Sequence, residues 1–144
     1  MIMKEGIVLS VEKPVEVRFS EVDMMGVVWH GSYPLYLEDA REAFGAKYGL
    51  SYHRYIKENI FAPLVDLRMN YRHPVKYGMQ PVVKITYRPV DAAKIVFDYE
   101  LYDPQSGTVF LTAYSVQVFM DSDYNLLWNS PDFYEEWKKA MGLL

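Results

Sequence analysis

The chain of 144 residues contains no cysteine. That excludes a disulfide framework, a thiolate metal site and a cysteine nucleophile. Its histidines, at positions 30, 53 and 73, lack the spacing of metal ligands. A surplus of positive charge is also missing: 15 Lys and Arg stand against 19 Asp and Glu, leaving a net charge of −4. A general nucleic-acid binder needs a basic footprint to displace counterions, so no nucleic-acid partner is expected. No apolar run approaches the roughly 18 residues of a membrane span. The apolar pieces of "MIMKEGIVLSVEKPV" are too short for a signal-peptide core, so a cytoplasmic setting is expected. Gly-rich phosphate loops and dinucleotide fingerprints are absent. "GLSYH" lacks the second glycine of a nucleophile elbow. "DSDYN" begins like a calcium loop, but Leu126 and Asp132 hold the positions that need Gly and Glu, so it reads as a polar turn. Neither a metal nor a cofactor is expected.

What is abundant points to a half-buried sheet. Tyrosine occurs 13 times, a side chain suited to surfaces apolar on one side and wet on the other. Alternation with period two marks strands. In "VDLRMNYRH", Val65, Leu67, Met69 and Tyr71 oppose Asp66, Arg68, Asn70 and Arg72. "VVKITYR" and "KIVFDYELY" alternate in the same way, and "TVFLTAYSVQVFM" is apolar or small on both faces, as a central strand should be. "PVEVRFS" supplies a fifth strand near the start. "PVKYGMQP", "VDAA" and "DPQSG" link the later strands, and such short links predict antiparallel neighbours.

One long helix is predicted over "SYPLYLEDAREAFGAKYG". Ser32 serves as N-cap, Pro34 is tolerated in the first turn, Tyr33, Leu37, Ala40 and Phe44 form one stripe, and Gly49 ends it. Shorter helices are predicted at "SYHRYIKEN", capped by Ser51, and at "SPDFYEEWKKAMG", capped by Ser130 with Pro131 at its first position. The result is a single α+β domain spanning 1–144, large enough to bury roughly 68–70% of its unfolded surface. One long helix cannot cover both faces of a five-stranded sheet, so a homodimer or homotetramer is expected.

The candidate site lies in "FSEVDMMGVVWHGSYPLYLEDAR". Asp23 falls between the first strand and the long helix, and Gly26 lets the backbone turn or approach a ligand closely. "VVWHGSY" then leads into a helix N-terminus, whose free N–H groups and positive dipole end attract developing negative charge. Such donors can polarise a carbonyl, while a nearby carboxylate attacks it or activates water. Spacing alone leaves a second reading open, in which Asp23 is a turn or capping residue.

The same stretch resembles the signature of hotdog-fold acyl-CoA thioesterases of the 4-hydroxybenzoyl-CoA thioesterase class. Phe19, Asp23, Gly26, Val27, Val28, Trp29, His30, Tyr33, Glu38 and Arg41 match it, and "LRMNYRHPVKYG" and "SPDFYEEW" extend the likeness over nearly the whole chain. The resemblance implies a curved five-stranded antiparallel sheet packed around one long helix, and hydrolysis of an acyl-CoA thioester. It implies Asp23 as nucleophile or general base and the backbone N–H of His30 as donor to the thioester carbonyl. Gly26 then gives the loop its close approach, and Tyr33 packs at the helix start beside the substrate. Glu38 reads as structural, paired with Arg41 at i, i+3. Relatives carry a basic cluster before the fourth strand; here "RPVDAAKIVF" offers Lys94 as the CoA contact, and acyl carrier protein is an alternative thiol carrier. A hotdog hydratase or dehydratase, or a non-catalytic acyl-thioester binding module, are the competing functions.

Overall fold

The computed structural model describes residues 6–144. Five strands form one antiparallel sheet: β1 (Ser10–Pro14), β3 (Leu64–Tyr71), β4 (Val82–Arg88), β5 (Lys94–Tyr102) and β6 (Val109–Val118). Their spatial order is β1-β4-β5-β6-β3. A separate two-stranded ribbon pairs β2 (Ile60–Phe61) with β7 (Met120–Asp121). The helices are α1 (Tyr33–Tyr48), α2 (Tyr52–Glu58) and α3 (Asp132–Ala140).

The predicted alternation is realised in the central strands. Val83, Ile85 and Tyr87 of β4 are buried beside Phe97, Tyr99 and Leu101 of β5, and their cross-strand partners on β6 continue the same face. Onto that face α1 lays Tyr33, Tyr36, Leu37, Ala40 and Phe44, all at or below 4% exposure. Removing a ring as buried as that of Phe44 from such a core costs about 3–5 kcal/mol. The helix ends as its sequence dictates, at Gly49, whose φ of +91° lies in the left-handed region that favours glycine. It packs chiefly over β1 and β4, toward one side of the sheet.

Three expectations need correction. The first strand is Ser10–Pro14 rather than "PVEVRFS", which instead runs off the sheet into a 3-10 turn at Phe19–Glu21. Both stretches alternate, and only the register with β4, Val11 opposite Ile85, selects the earlier one. Next, β3 does not neighbour β4: the connection from Arg72 to Pro81 carries the chain to the other side, and β3 pairs with β6 instead. Finally, α3 begins one residue late, with Pro131 rather than Ser130 as its N-cap. Proline has no N–H and extended geometry suits its fixed φ, so it can stand before the first turn as readily as within it. Ser32 and Ser51 do occupy N-cap positions, but neither side chain makes a capping bond. The Ser32 hydroxyl donates to the Glu21 carbonyl at 3.3 Å.

Candidate active site

Asp23 sits in a tight loop whose shape is fixed by its own backbone. Its N–H donates to the Val27 carbonyl at 2.8 Å, and Gly26 N–H donates back to the Asp23 carbonyl at 3.0 Å. Gly26 has φ +75°, a conformation in which a side chain is strained. One carboxylate oxygen, Oδ1, accepts the Met25 N–H at 2.8 Å. The second oxygen takes no hydrogen bond from the described residues. Asp23 is therefore a turn residue through one oxygen and available for chemistry through the other.

The loop is stitched to its surroundings on both sides. Val28 N–H donates to Val75 at 2.8 Å, Tyr77 N–H to Gly26 at 2.9 Å, and Trp29 N–H to Glu21 at 2.8 Å. Glu21 ties this end to α1, since its carboxylate accepts both Arg18 N–H and the Tyr36 hydroxyl, at 2.8 and 3.0 Å. After Trp29 the chain turns into α1, and the N–H groups of His30 and Gly31 donate to no oxygen among the described residues. They stand just before the positive end of a 16-residue helix. The His30 carbonyl accepts the Tyr71 hydroxyl at 3.0 Å, which fixes the peptide plane that carries the Gly31 N–H. The His30 ring is exposed and tilts against Trp29, at 4.8 Å between centroids, with no recorded polar partner among the described residues. At Gly31 a Cβ would fall 2.1 Å from the Trp29 ring, so a side chain there would displace that half-exposed ring.

Tyr33 closes the inner wall. It is 4% exposed and meets Tyr71 edge-on at 5.3 Å. Burial raises its pKa, a bond from the Val75 backbone opposes that, and the nearby Tyr71 and Asp23 raise it again. The Asp23 carboxylate and the Tyr33 hydroxyl thus lie within electrostatic reach. A shallow cavity of about 310 Å³ opens beside Tyr33, lined by His30, Tyr33, Tyr71, Arg72 and His73 among others. His73 Nδ1 lies 3.1 Å from the Val109 carbonyl. A carbonyl only accepts, so Nδ1 carries the hydrogen and Nε2 remains open.

The structure brings Asp23, Gly26, His30 and Tyr33 together. Lys94 is left at the other end of the sheet. It opens β5 opposite Val118, whereas Tyr71 aligns with Leu111 and Leu101. Seven strand residues separate the two levels, roughly 24 Å within one chain. Glu38 does pair with Arg41, at 3.7 Å. Tyr71, Glu21, Gly31 and Arg72 were not singled out from sequence. Gly31, adjacent to the His30 motif, carried a local signal; the others act across the fold and carried none.

Comparison with known proteins identifies the family. Residues 17–140 match the family model described as the thioesterase-like superfamily. YneP of Bacillus subtilis (strain 168), named provisionally as an acyl-CoA thioesterase, is 31% identical over 112 residues, covering 78% of this chain and 80% of that protein. A DHNA-CoA thioesterase structure from Staphylococcus aureus superposes with a TM-score of 0.79 at 27% identity, covering 91% of this chain and 90% of that one. The hypothetical protein TT1821 from Thermus thermophilus gives 0.81 at 25% identity, covering 94% and 99%. With the sheet and the long helix in place and the family model matched over most of its length, the chain belongs to the thioesterase-like superfamily and has its hotdog fold.

Proposed function

We propose that this chain hydrolyses an acyl-CoA thioester to the free acid and the CoA thiol, with Asp23 as its reactive group. The carrying observation is that one loop holds both a carboxylate oxygen without a hydrogen-bond partner and, just before α1, two N–H groups that donate to no oxygen among the described residues. In this reading the thioester oxygen accepts the N–H of His30, with Gly31 N–H beside it, and the donors hold the oxyanion as the carbonyl carbon becomes tetrahedral. One such donor is worth about 3 kcal/mol in comparable holes. As general base, Asp23 takes a proton from water while the resulting hydroxide attacks the carbonyl. The C–S bond then breaks, and the thiolate recovers the proton. As nucleophile, Asp23 attacks the carbonyl and expels the thiolate, leaving a mixed anhydride that water then cleaves. Both routes consume one water and release one acid and one thiol. Label in the Asp23 carboxylate after turnover in heavy-oxygen water marks the nucleophilic route, because only anhydride hydrolysis at the Asp23 carbon puts it there.

CoA suits the surroundings of the site. Arg72 lines the cavity, Lys76 pairs through its backbone with Val27 of the Asp23 loop, and neither side chain has an ion-pair partner among the described residues. In this reading these cations meet the phosphates within one chain, while Lys94 lies too far along the sheet to do so from the same chain. We further propose that a second copy of the chain completes the assembly along β3. That strand is an edge of the sheet, and Leu64, Val65 and Tyr71 leave it 40–58% exposed. An open edge with large apolar side chains is a template for pairing. Sedimentation should give a dimer or tetramer, and a monomer at working concentration would refute this part.

The direct test is thiol release from a panel of acyl-CoA thioesters by wild type and Asp23→Asn. The reading fails if no thioester is cleaved or if the Asn variant keeps full activity.

A further inference from the structure

The turn that carries the free donors is gripped by one oxygen. The Glu21 backbone carbonyl accepts the Trp29 N–H at 2.8 Å and the Ser32 hydroxyl at 3.3 Å. Trp29 and Ser32 are the two ends of the turn that holds His30 and Gly31. The turn also closes on itself, since the Ser32 N–H donates to the Trp29 carbonyl at 2.9 Å. That bond fixes the Trp29–His30 peptide plane, and with it the direction of the His30 N–H.

The Glu21 side chain fixes where the gripping oxygen stands. Its Oε1 accepts the Tyr36 hydroxyl at 3.0 Å and the Arg18 N–H at 2.8 Å. Tyr36 lies one turn into α1 and meets the Tyr33 ring edge-on at 6.1 Å. Burial, and after it the bond to Glu21 and its charge, raise the Tyr36 pKa, so the phenol stays a donor. Ser32 and Tyr36 are both buried, so water does not readily replace the bonds they make to Glu21. The Glu21 N–H donates to the Arg18 carbonyl at 2.9 Å, closing the 3-10 turn that leads into the Asp23 loop. Asp23 follows two residues later, so a shift of Glu21 would move carboxylate and donors relative to each other. Misplacing reacting groups by roughly 1 Å can cost about a hundredfold in rate.

We propose that Glu21 is a positioning residue for the reaction: it holds the His30 and Gly31 N–H groups in register with Asp23 by bracing their turn against Tyr36. The assignment rests on the thioesterase reading, but the brace itself is measurable without turnover.

The test compares Glu21→Ala, Glu21→Gln and Tyr36→Phe in thiol release from benzoyl-CoA and octanoyl-CoA, and in amide hydrogen exchange. Glu21→Ala removes the brace and should lower kcat by about a hundredfold, with KM within about twofold of wild type. Glu21→Gln keeps an oxygen that can accept both bonds and should recover most of that loss. Tyr36→Phe cuts one of the two carboxylate bonds and should lower kcat by about tenfold, the worth of one hydrogen bond to a charged group. Exchange at the Trp29 and Ser32 amides should quicken in Glu21→Ala and slow again in Glu21→Gln. At Leu37, Ala40 and Phe44 inside α1 it should stay at wild-type rates. A kcat for Glu21→Ala within about threefold of wild type, a change confined to KM, or an equal loss in Ala and Gln variants overturns the proposal. So does unchanged exchange at Trp29 and Ser32, or faster exchange throughout α1, which would make Glu21 a support of the fold instead of the turn. If neither thioester is cleaved but the exchange pattern is as expected, the thioesterase reading has failed and the brace stands. Should Glu21→Ala not fold, Tyr36→Phe decides, and a kcat within about twofold of wild type overturns the proposal.

Discussion

At its N-terminal end α1 starts from a loop in which Trp29 is half-exposed, Met25 is 80% exposed and Met24 is fully so. Backbone hydrogen bonds to Glu21, Val75 and Gly26 hold that loop, with little burial to help them. At its C-terminal end the same helix is locked into aromatic packing. The Phe44 ring meets Phe97 edge-on at 4.8 Å, and Tyr134 stacks on Trp137 at 5.7 Å. The Trp137 indole donates to the Tyr48 carbonyl at 2.7 Å, and Lys138, 1% exposed, lays its ammonium 4.6 Å from the centre of the Tyr134 ring. One end carries free donors and a free carboxylate oxygen; the other has its polar groups satisfied. A helix anchored firmly at one end can leave the other underfilled, which is what a substrate site requires.

Substitution at each end tests that division. Asp23→Asn removes the reactive carboxylate but keeps a side chain that can accept the Met25 N–H. It should lower kcat by about a thousandfold or more while leaving the thermal midpoint nearly unchanged. Trp137→Ala should do the reverse, costing about 3–5 kcal/mol of stability with near-normal kcat in the folded fraction. Parallel denaturation and steady-state measurements decide. Should Trp137→Ala depress kcat well below its unfolding range, the two ends are coupled and the division is false.

The sequence was most informative where the cause is local. Ser32, Pro34 and Gly49 bound a helix whose periodicity is internal, so α1 could be placed almost to the residue. The Asp23 loop was legible for the same reason, because carboxylate, glycine and helix start all lie within a dozen residues. Position in the sheet was not legible. Val11 and Val15 both belong to alternating stretches, and only contact with β4, some 70 residues later, separates strand from loop. Lys94 shows the same limit: its neighbourhood in the chain does not say at which end of the sheet it begins. Tyr71 reaches His30 across 41 residues, beyond any local pattern.

The anchored end should also respond to alkaline pH. Burial pushes Tyr87 up to about 12, partly offset by the 2.5 Å hydrogen bond with the Tyr134 hydroxyl. Its unfolded value is near 10. The folded state therefore favours the protonated phenol, and this stabilisation is complete below about pH 10 and lost as pH rises through about 12. The loss from this group is about 2–3 kcal/mol. Thermal midpoints of wild type should fall steeply across that window, and those of Tyr87→Phe less so. Equal slopes would remove Tyr87 from the cause.

The smallest effect belongs to the open end and is the most diagnostic of its construction. Tyr71→Phe keeps the ring that packs edge-on against Tyr33 and deletes only the hydroxyl bonded to the His30 carbonyl. Tyr71 is half-exposed, so water can replace that bond and the stability change should stay within about 0.5 kcal/mol. The same peptide carries the Gly31 N–H, so its orientation loosens where the oxyanion would form. A net hydrogen bond of about 1 kcal/mol, felt only as charge develops, predicts a loss of about fivefold in kcat with KM nearly constant. A rise in KM alone would instead make Tyr71 a wall of the cavity, and the donors at the start of α1 would then be held by the loop without help from β3.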